Sequence, residues 1–199
     1  MTPEIFAICE FIFILASAVI FHECAHGWVA LQLGDPTAKL MGRLTLNPLK
    51  HIDPIGTIVI PIFTTITLGF PFGWAKPVPV NFTNLHNPKR DMIFVALAGP
   101  AVNIAIAVAA SFLLSFAPHF FSVMIMVNLM LAIFNLTPVP PLDGSRVVAG
   151  LLPNDLARKY LYLEPFGFII VIILLQTHAL NFLSDIVATL ASYLGVAIR

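Results

Sequence analysis

The pentapeptide His22-Glu23-Cys24-Ala25-His26 lies within an apolar stretch running from Ile5 to Leu33, and the eleven residues leading into it, Phe11 to Phe21, carry no charge. Histidines four apart share one face of a helix and can bind one zinc ion together, while the glutamate beside the first can hold an attacking water. Ionisable side chains in a membrane-length helix are costly, and they normally face a protein interior or a wet cavity and carry function. The stretch thus implies a metal site inside a lipid-spanning helix, with hydrolytic chemistry performed within the bilayer.

Composition points the same way. Hydrophobic residues make up 59% of the 199 and charged residues 10%, with a mean hydropathy of +0.95; soluble domains are roughly half apolar and a quarter charged. The expected class is a polytopic membrane protein, with the lipid bilayer as its first partner. Lys and Arg number 10 and are scattered, and net charge is zero, so no electrostatic footprint for nucleic acid is present. Cys9 and Cys24 fall on one expected helix about 22 Å apart, beyond disulfide reach. Glu4 and Glu10 stand where a signal peptide carries basic residues, so the first stretch is expected to remain as a span.

Apolar stretches run from Glu4 to Leu33, Ile55 to Phe72, Met92 to Ala117, Phe120 to Leu136 and Phe166 to Ile198, each near or above the ~20 residues a helix needs to cross. They predict one all-α membrane-embedded domain over residues 1–199, with four to six transmembrane helices and a small membrane-associated β element. Core helices are expected at about 4–33, 91–117 and 119–137, a re-entrant or β region at about 34–90, and C-terminal helices at about 164–198. Lys39, Arg43, Lys50, Lys89, Arg90, Arg146, Arg158 and Lys159 fall in three groups between spans, and such groups mark the cytoplasmic side. The expectation is a multi-pass protein of the cell membrane whose active-site end is cytoplasmic. The segment from Gly34 to Arg90 must begin and end on that side, so its apolar stretch is expected either to be re-entrant or to cross and be brought back by the proline-rich run from Gly73 to Val80, lining the active-site chamber where irregular backbone is tolerated. In Lys76-Pro77-Val78-Pro79-Val80 the two prolines remove both donors from one edge, which predicts an edge strand near the site.

Catalytic zinc usually takes three protein ligands and leaves a fourth position for water. Asp143 is the best-placed remaining carboxylate: it follows a span, in Asn135-Leu136-Thr137-Pro138-Val139-Pro140-Pro141-Leu142-Asp143-Gly144, at the same cytoplasmic end as the two histidines. Read alone, a turn residue in Leu-Asp-Gly is the leading reading. Gly144 would permit the close backbone approach that aims a short carboxylate at a metal.

These residues resemble the site-2 protease family of intramembrane zinc metalloproteases, which joins HExxH in one membrane helix to a Leu-Asp-Gly segment at the end of another. The similarity extends to Gly42-Arg43-Leu44-Thr45-Leu46-Asn47-Pro48, His51-Ile52-Asp53-Pro54-Ile55-Gly56-Thr57, Gly73 to Asn81, and Ala98-Gly99-Pro100-Ala101-Val102-Asn103. It looks like the compact prokaryotic branch without a PDZ or regulatory domain. The resemblance implies one Zn2+ held by His22, His26 and Asp143, Glu23 as catalytic base, and a role near the substrate for Asn135. It also implies a transmembrane protein substrate, cut in or near its membrane segment in regulated intramembrane proteolysis. Asn135 is the first candidate to donate to the developing oxyanion, and Asn103 the second.

Plainer readings stand beside these. Gly99, Pro100 and Asn103 also fit a helix kink with an interhelical hydrogen bond. His51, His86, His119 and His178 have no partner at helical spacing and are expected in loops; Trp28 and Trp74 fit interface anchors. Cys24 points off the histidine face and fits a small apolar filler. A metal-ion transporter or channel could use the same His and Asp residues for transit, but such proteins often carry internal repeats, and no repeat is present here.

Overall fold

The computed structural model describes residues 2–69, 71 and 73–197. Phe72 and Ile198, where two of the apolar stretches end, lie outside the described residues. Helix α1 (Pro3–Gln32) starts where the Thr2 side chain accepts the Ile5 amide, with proline in the first turn. Its 30 residues extend about 45 Å, longer than the hydrocarbon core. Ile14, Ala18, His22, His26 and Ala30 are its buried stripe, recurring every four residues, while Phe6, Ile8, Phe13 and Trp28 are exposed as lipid-facing side chains would be. The histidine-bearing face is therefore the face that packs.

A short helix α2 (Thr37–Leu40) follows, then a π-helical turn (Pro54–Val59) leading into α3 (Ile60–Leu68). Together Pro54–Leu68 form an apolar helix shorter than a crossing segment. Helices α4 (Pro88–Ser111) and α5 (Pro118–Asn135) form the expected hairpin, and α6 (Asp143–Leu151), α7 (Asn154–Leu161), α8 (Gly167–Gln176) and α9 (Phe182–Tyr193) complete the chain. Four stretches are long and apolar enough to cross: Pro3–Gln32, Pro88–Ser111, Pro118–Asn135 and Asn154–Gln176. That is the lower bound of the expected four to six. The last apolar stretch breaks in two at Thr177–Asn181, the polar interruption visible in sequence.

Helix α4 is central, packing against α1, α5 and α6, while α5 also meets α9. Ala107, Ala110, Ile125, Leu129, Val187 and Ala191 form the largest core cluster, where small residues let helices approach closely.

The expected β element is corrected: among the described residues there is no strand. The run from Lys76 to Val80 spends its backbone groups elsewhere. Lys76 N donates to His51 O at 2.8 Å, Val78 N to the Glu23 carboxylate, and the carbonyls of Lys76 and Pro77 accept from Arg43. With Pro77 and Pro79 lacking N–H, too few donors remain to build a ladder. The neighbouring loop is fixed by fully buried Asp35, which accepts from Thr37 N at 3.1 Å, Asn81 N at 2.7 Å and Asn84 Nδ2 at 2.9 Å. Burial raises this carboxyl, but the donors of Thr37, Asn84 and Asn81 outweigh it and hold the pKa below its ordinary value.

Candidate metal centre

His22 and His26 project from the buried stripe of α1 onto α4, with ring centroids 4.6 Å apart and planes at 82°. Asp143 reaches them from the first residue of α6. Its Oδ2 lies 3.0 Å from His22 Nε2 and 3.3 Å from His26 Nε2. Among the described residues these three form the single His/Cys/Asp/Glu group with metal-ligand spacing, all ligand atoms lying within 4.8 Å of one another. Two glycines make the approach possible. A Cβ on Gly144 would stand 2.2 Å from the Leu136 carbonyl oxygen, so only glycine lets the start of α6 turn back against the end of α5. A Cβ on Gly99 would stand 2.4 Å from His26 Nε2 and 2.6 Å from His22 Nε2; the bare backbone of α4 leaves the space in front of both nitrogens open.

The hydrogen-bond network fixes which imidazole nitrogen carries the proton. Asn103 and Asn128 are buried on α4 and α5. Backbone carbonyls only accept, so Asn128 Nδ2 must donate to Met124 O (2.9 Å), and Asn103 Nδ2 to Ala18 O (3.1 Å). The second hydrogen of Asn103 Nδ2 goes to Asn128 Oδ1 at 2.8 Å. Asn103 Oδ1 is left as an acceptor 2.6 Å from His22 Nδ1, which therefore holds a proton. His26 Nδ1 faces the Val95 carbonyl at 2.7 Å and must donate too. A neutral imidazole has one N–H, and in that form both Nε2 atoms present lone pairs toward Asp143.

Two lone pairs and a carboxylate oxygen thus converge, and Asp143 Oδ2 is buried with no hydrogen-bond donor. Two imidazoles with one carboxylate are a donor set that fits Zn2+. Each histidine also has the backing acceptor that zinc ligands characteristically use.

Glu23 lies off the histidine stripe, and its Oε2 accepts the Val78 amide at 2.7 Å. Cys24 Sγ donates to Thr45 O at 3.3 Å, away from the metal group. Asn135 ends α5, its amide nitrogen donating to Leu131 O at 2.9 Å on its own helix. His51 Nε2 pairs with Thr45 O, and His119 approaches Glu10; neither joins the trio. Trp28 is exposed on α1, whereas Trp74 stacks on Phe168 at 4.3 Å between centroids. Sequence reasoning passed over Asn128 and the open space at Gly99. A lone carboxamide within an apolar crossing helix is itself a signal, and it would have found Asn128.

Residues 115–175 match the model of peptidase family M50. The chain is 42% identical over 171 residues, 78% of its length and 75% of the relative's, to "Putative zinc metalloprotease YwhC" of Bacillus subtilis. It is 30% identical over 187 residues, 86% of its length and 69% of the relative's, to "Putative zinc metalloprotease Rip2" of Mycolicibacterium smegmatis. To "Zinc metalloprotease MJ0392" of Methanocaldococcus jannaschii it is 26% identical over 174 residues, which is 82% of this chain and 39% of that protein. No solved structure gives a significant match.

Proposed function

This chain belongs to peptidase family M50, the site-2 protease family of zinc metalloproteases, and we propose that it hydrolyses peptide bonds in or near the transmembrane segments of membrane proteins. The observation that carries this reading is the convergence of Asp143, at the start of the short helix α6, on His22 and His26 of α1, a helix long enough to cross a bilayer. His26 lies six residues before the end of α1, about 9 Å along the axis, which favours a site below the membrane surface rather than on it. The Lys- and Arg-bearing loops favour a cytoplasmic active-site end in a cell membrane.

His22 Nε2, His26 Nε2 and Asp143 Oδ2 would hold the zinc. When bound, zinc polarises the scissile carbonyl and brings the pKa of its water toward ~7. Glu23 then acts as base: with Oε2 taken by the Val78 amide, Oε1 is left to accept the water proton. The water oxygen bonds to the carbonyl carbon, the C–N bond breaks, and Glu23 returns the proton to the leaving nitrogen. Asn103 Oδ1 and the Val95 carbonyl keep the two Nδ1 protons in place throughout. Asn135 spends one amide hydrogen on Leu131 O and keeps the second for a substrate carbonyl.

A transmembrane helix hides its carbonyls in its own hydrogen bonds, so the substrate must unwind locally to be cut. The run from Lys76 to Val80, which touches Glu23, is the segment along which the unwound stretch would lie.

The test is Glu23→Gln, with zinc content and cleavage of a model transmembrane substrate both measured. Zinc retained with cleavage lost is expected, by roughly three orders of magnitude or more for loss of a general base acting with a metal. Cleavage at the wild-type rate would remove Glu23 as base. Zinc flux across vesicles without cleavage would favour the transporter.

A further inference from the structure

The Glu23 carboxylate does not stand free above the metal group: the backbone of a distant loop holds it, and one arginine holds that loop. Val78 lies between Pro77 and Pro79, so its N–H is the only backbone donor in the triplet, and it is aimed at Glu23 Oε2 at 2.7 Å. Its side chain is wedged against α1, where a Cβ on Gly27 would stand 2.7 Å from Val78 Cγ1. The two carbonyls preceding it, of Lys76 and Pro77, both accept from one nitrogen of Arg43, Nη2, at 2.9 and 3.2 Å. Arg43 is 7% exposed. A buried guanidinium spent on two backbone carbonyls is an expensive way to hold a loop unless the loop's position matters.

The loop carrying Arg43 is tied to the same helix. Thr45 O accepts from Cys24 Sγ at 3.3 Å, one residue beyond the base, and also faces His51 Nε2 at 2.8 Å. His51 O in turn accepts from Lys76 N. Each link from Arg43 to the base is therefore a hydrogen bond in which one partner is a backbone group.

We infer that Arg43 is a positioning residue for the reaction: by clamping the Lys76 and Pro77 carbonyls it seats the Val78 amide on Glu23 Oε2, which turns Oε1 toward the water. This rests on Glu23 being the base. It makes the segment from Lys76 to Val78 part of the catalytic geometry as well as a lining for substrate. An error of about 1 Å in the placement of a reacting group can cost about a hundredfold in rate, so losing the clamp should act on kcat.

The experiment uses the full-length protein in detergent or vesicles and three variants: Glu23→Gln, Arg43→Met, and an ester at residue 78 in which the valine hydroxy-acid analogue replaces the N–H by oxygen. Expected are an inactive Glu23→Gln and, for the other two, a kcat about 10- to 100-fold below wild type. Zinc stoichiometry and melting temperature should stay at wild-type values, and added ethylguanidinium should restore part of the Arg43→Met rate. A purely structural arginine would instead lower the melting temperature and zinc content together without a selective kcat loss. If Arg43→Met unfolds or loses zinc, the ester variant decides alone. An ester variant with wild-type kcat beside an inactive Glu23→Gln overturns the inference and spares the base. An active Glu23→Gln overturns the base itself.

Discussion

Replacing Gly99 by alanine adds one methyl group where the two imidazole nitrogens face α4. The added carbon would lie 2.4 Å from His26 Nε2, and 2.6 Å from both Cε1 and Nε2 of His22, where ordinary contact between such atoms is about 3.5 Å. The rings cannot rotate away freely, because His22 Nδ1 is held at 2.6 Å from Asn103 and His26 Nδ1 at 2.7 Å from the Val95 carbonyl. Relief needs a shift of about 1 Å in the rings or in α4. Zinc–ligand distances tolerate only about 0.2 Å, and disturbing even the residues behind a zinc ligand costs 10- to 100-fold in affinity. Gly99→Ala should therefore weaken zinc binding by about a hundredfold or more, roughly 2.8 kcal/mol. Alanine favours the helix over glycine by about 1 kcal/mol, which offsets part of the overpacking in the metal-free protein, so the loss should concentrate on the metal-bound form. Competition with a chelator of known zinc affinity measures the effect, and melting with and without zinc separates metal loss from misfolding. A Gly99→Ala protein that binds zinc within about threefold of wild type would refute the geometry.

Asn103→Ala removes the acceptor of the His22 Nδ1 proton, leaves Asn128 Oδ1 without its donor and takes the side-chain donor from Ala18 O. Zinc affinity should fall about 10- to 100-fold, read by the same competition, with a lower melting temperature; unchanged affinity would mean that the carboxamide does not set the ring. Asp35 is held by donors from Thr37, Asn81 and Asn84, and its folded pKa lies below the unfolded value. Its contribution is thus fully present above the unfolded pKa of ~4 and is lost as pH falls through the lower folded pKa. Asp35→Asn should cost about 1–3 kcal/mol at pH ~7, and thermal unfolding at pH ~7 and ~2.5 should show the gap from wild type shrinking in acid.

The membrane class, the helix carrying His22 and His26, and the hairpin from Met92 to Leu136 were readable because each depends on the local density of apolar residues, which sequence states directly. The shared depth of the histidines and Asp143 could be argued from the charges in the loops. The β element is absent among the described residues because Pro77 and Pro79 forbid donors on one edge and the remaining donor, Val78 N, goes to a carboxylate 55 positions earlier in the chain, a pairing local sequence does not state. Gly99 and Asn103 were read as fitting a kink as well as a site, since their role depends on what faces them from α1, and periodicity along α4 carries no such information. The short span of α3 was hidden too, because hydropathy gives the length of an apolar run and not where a helix stops.

The chain of carboxamides behind His22 also bears on how this protein is assembled. Ala18 and His22 on α1, Asn103 on α4 and Asn128 on α5 meet at one point, surrounded by crossing helices. Sliding one helix by a single turn, about 5.4 Å, or rotating it by one residue would strand an amide in a medium that cannot solvate it. The cluster therefore acts as a registration pin that tells three otherwise greasy cylinders how far to insert and which way to face. The orientation of the His22 imidazole is then set by contacts between helices, at the moment they dock.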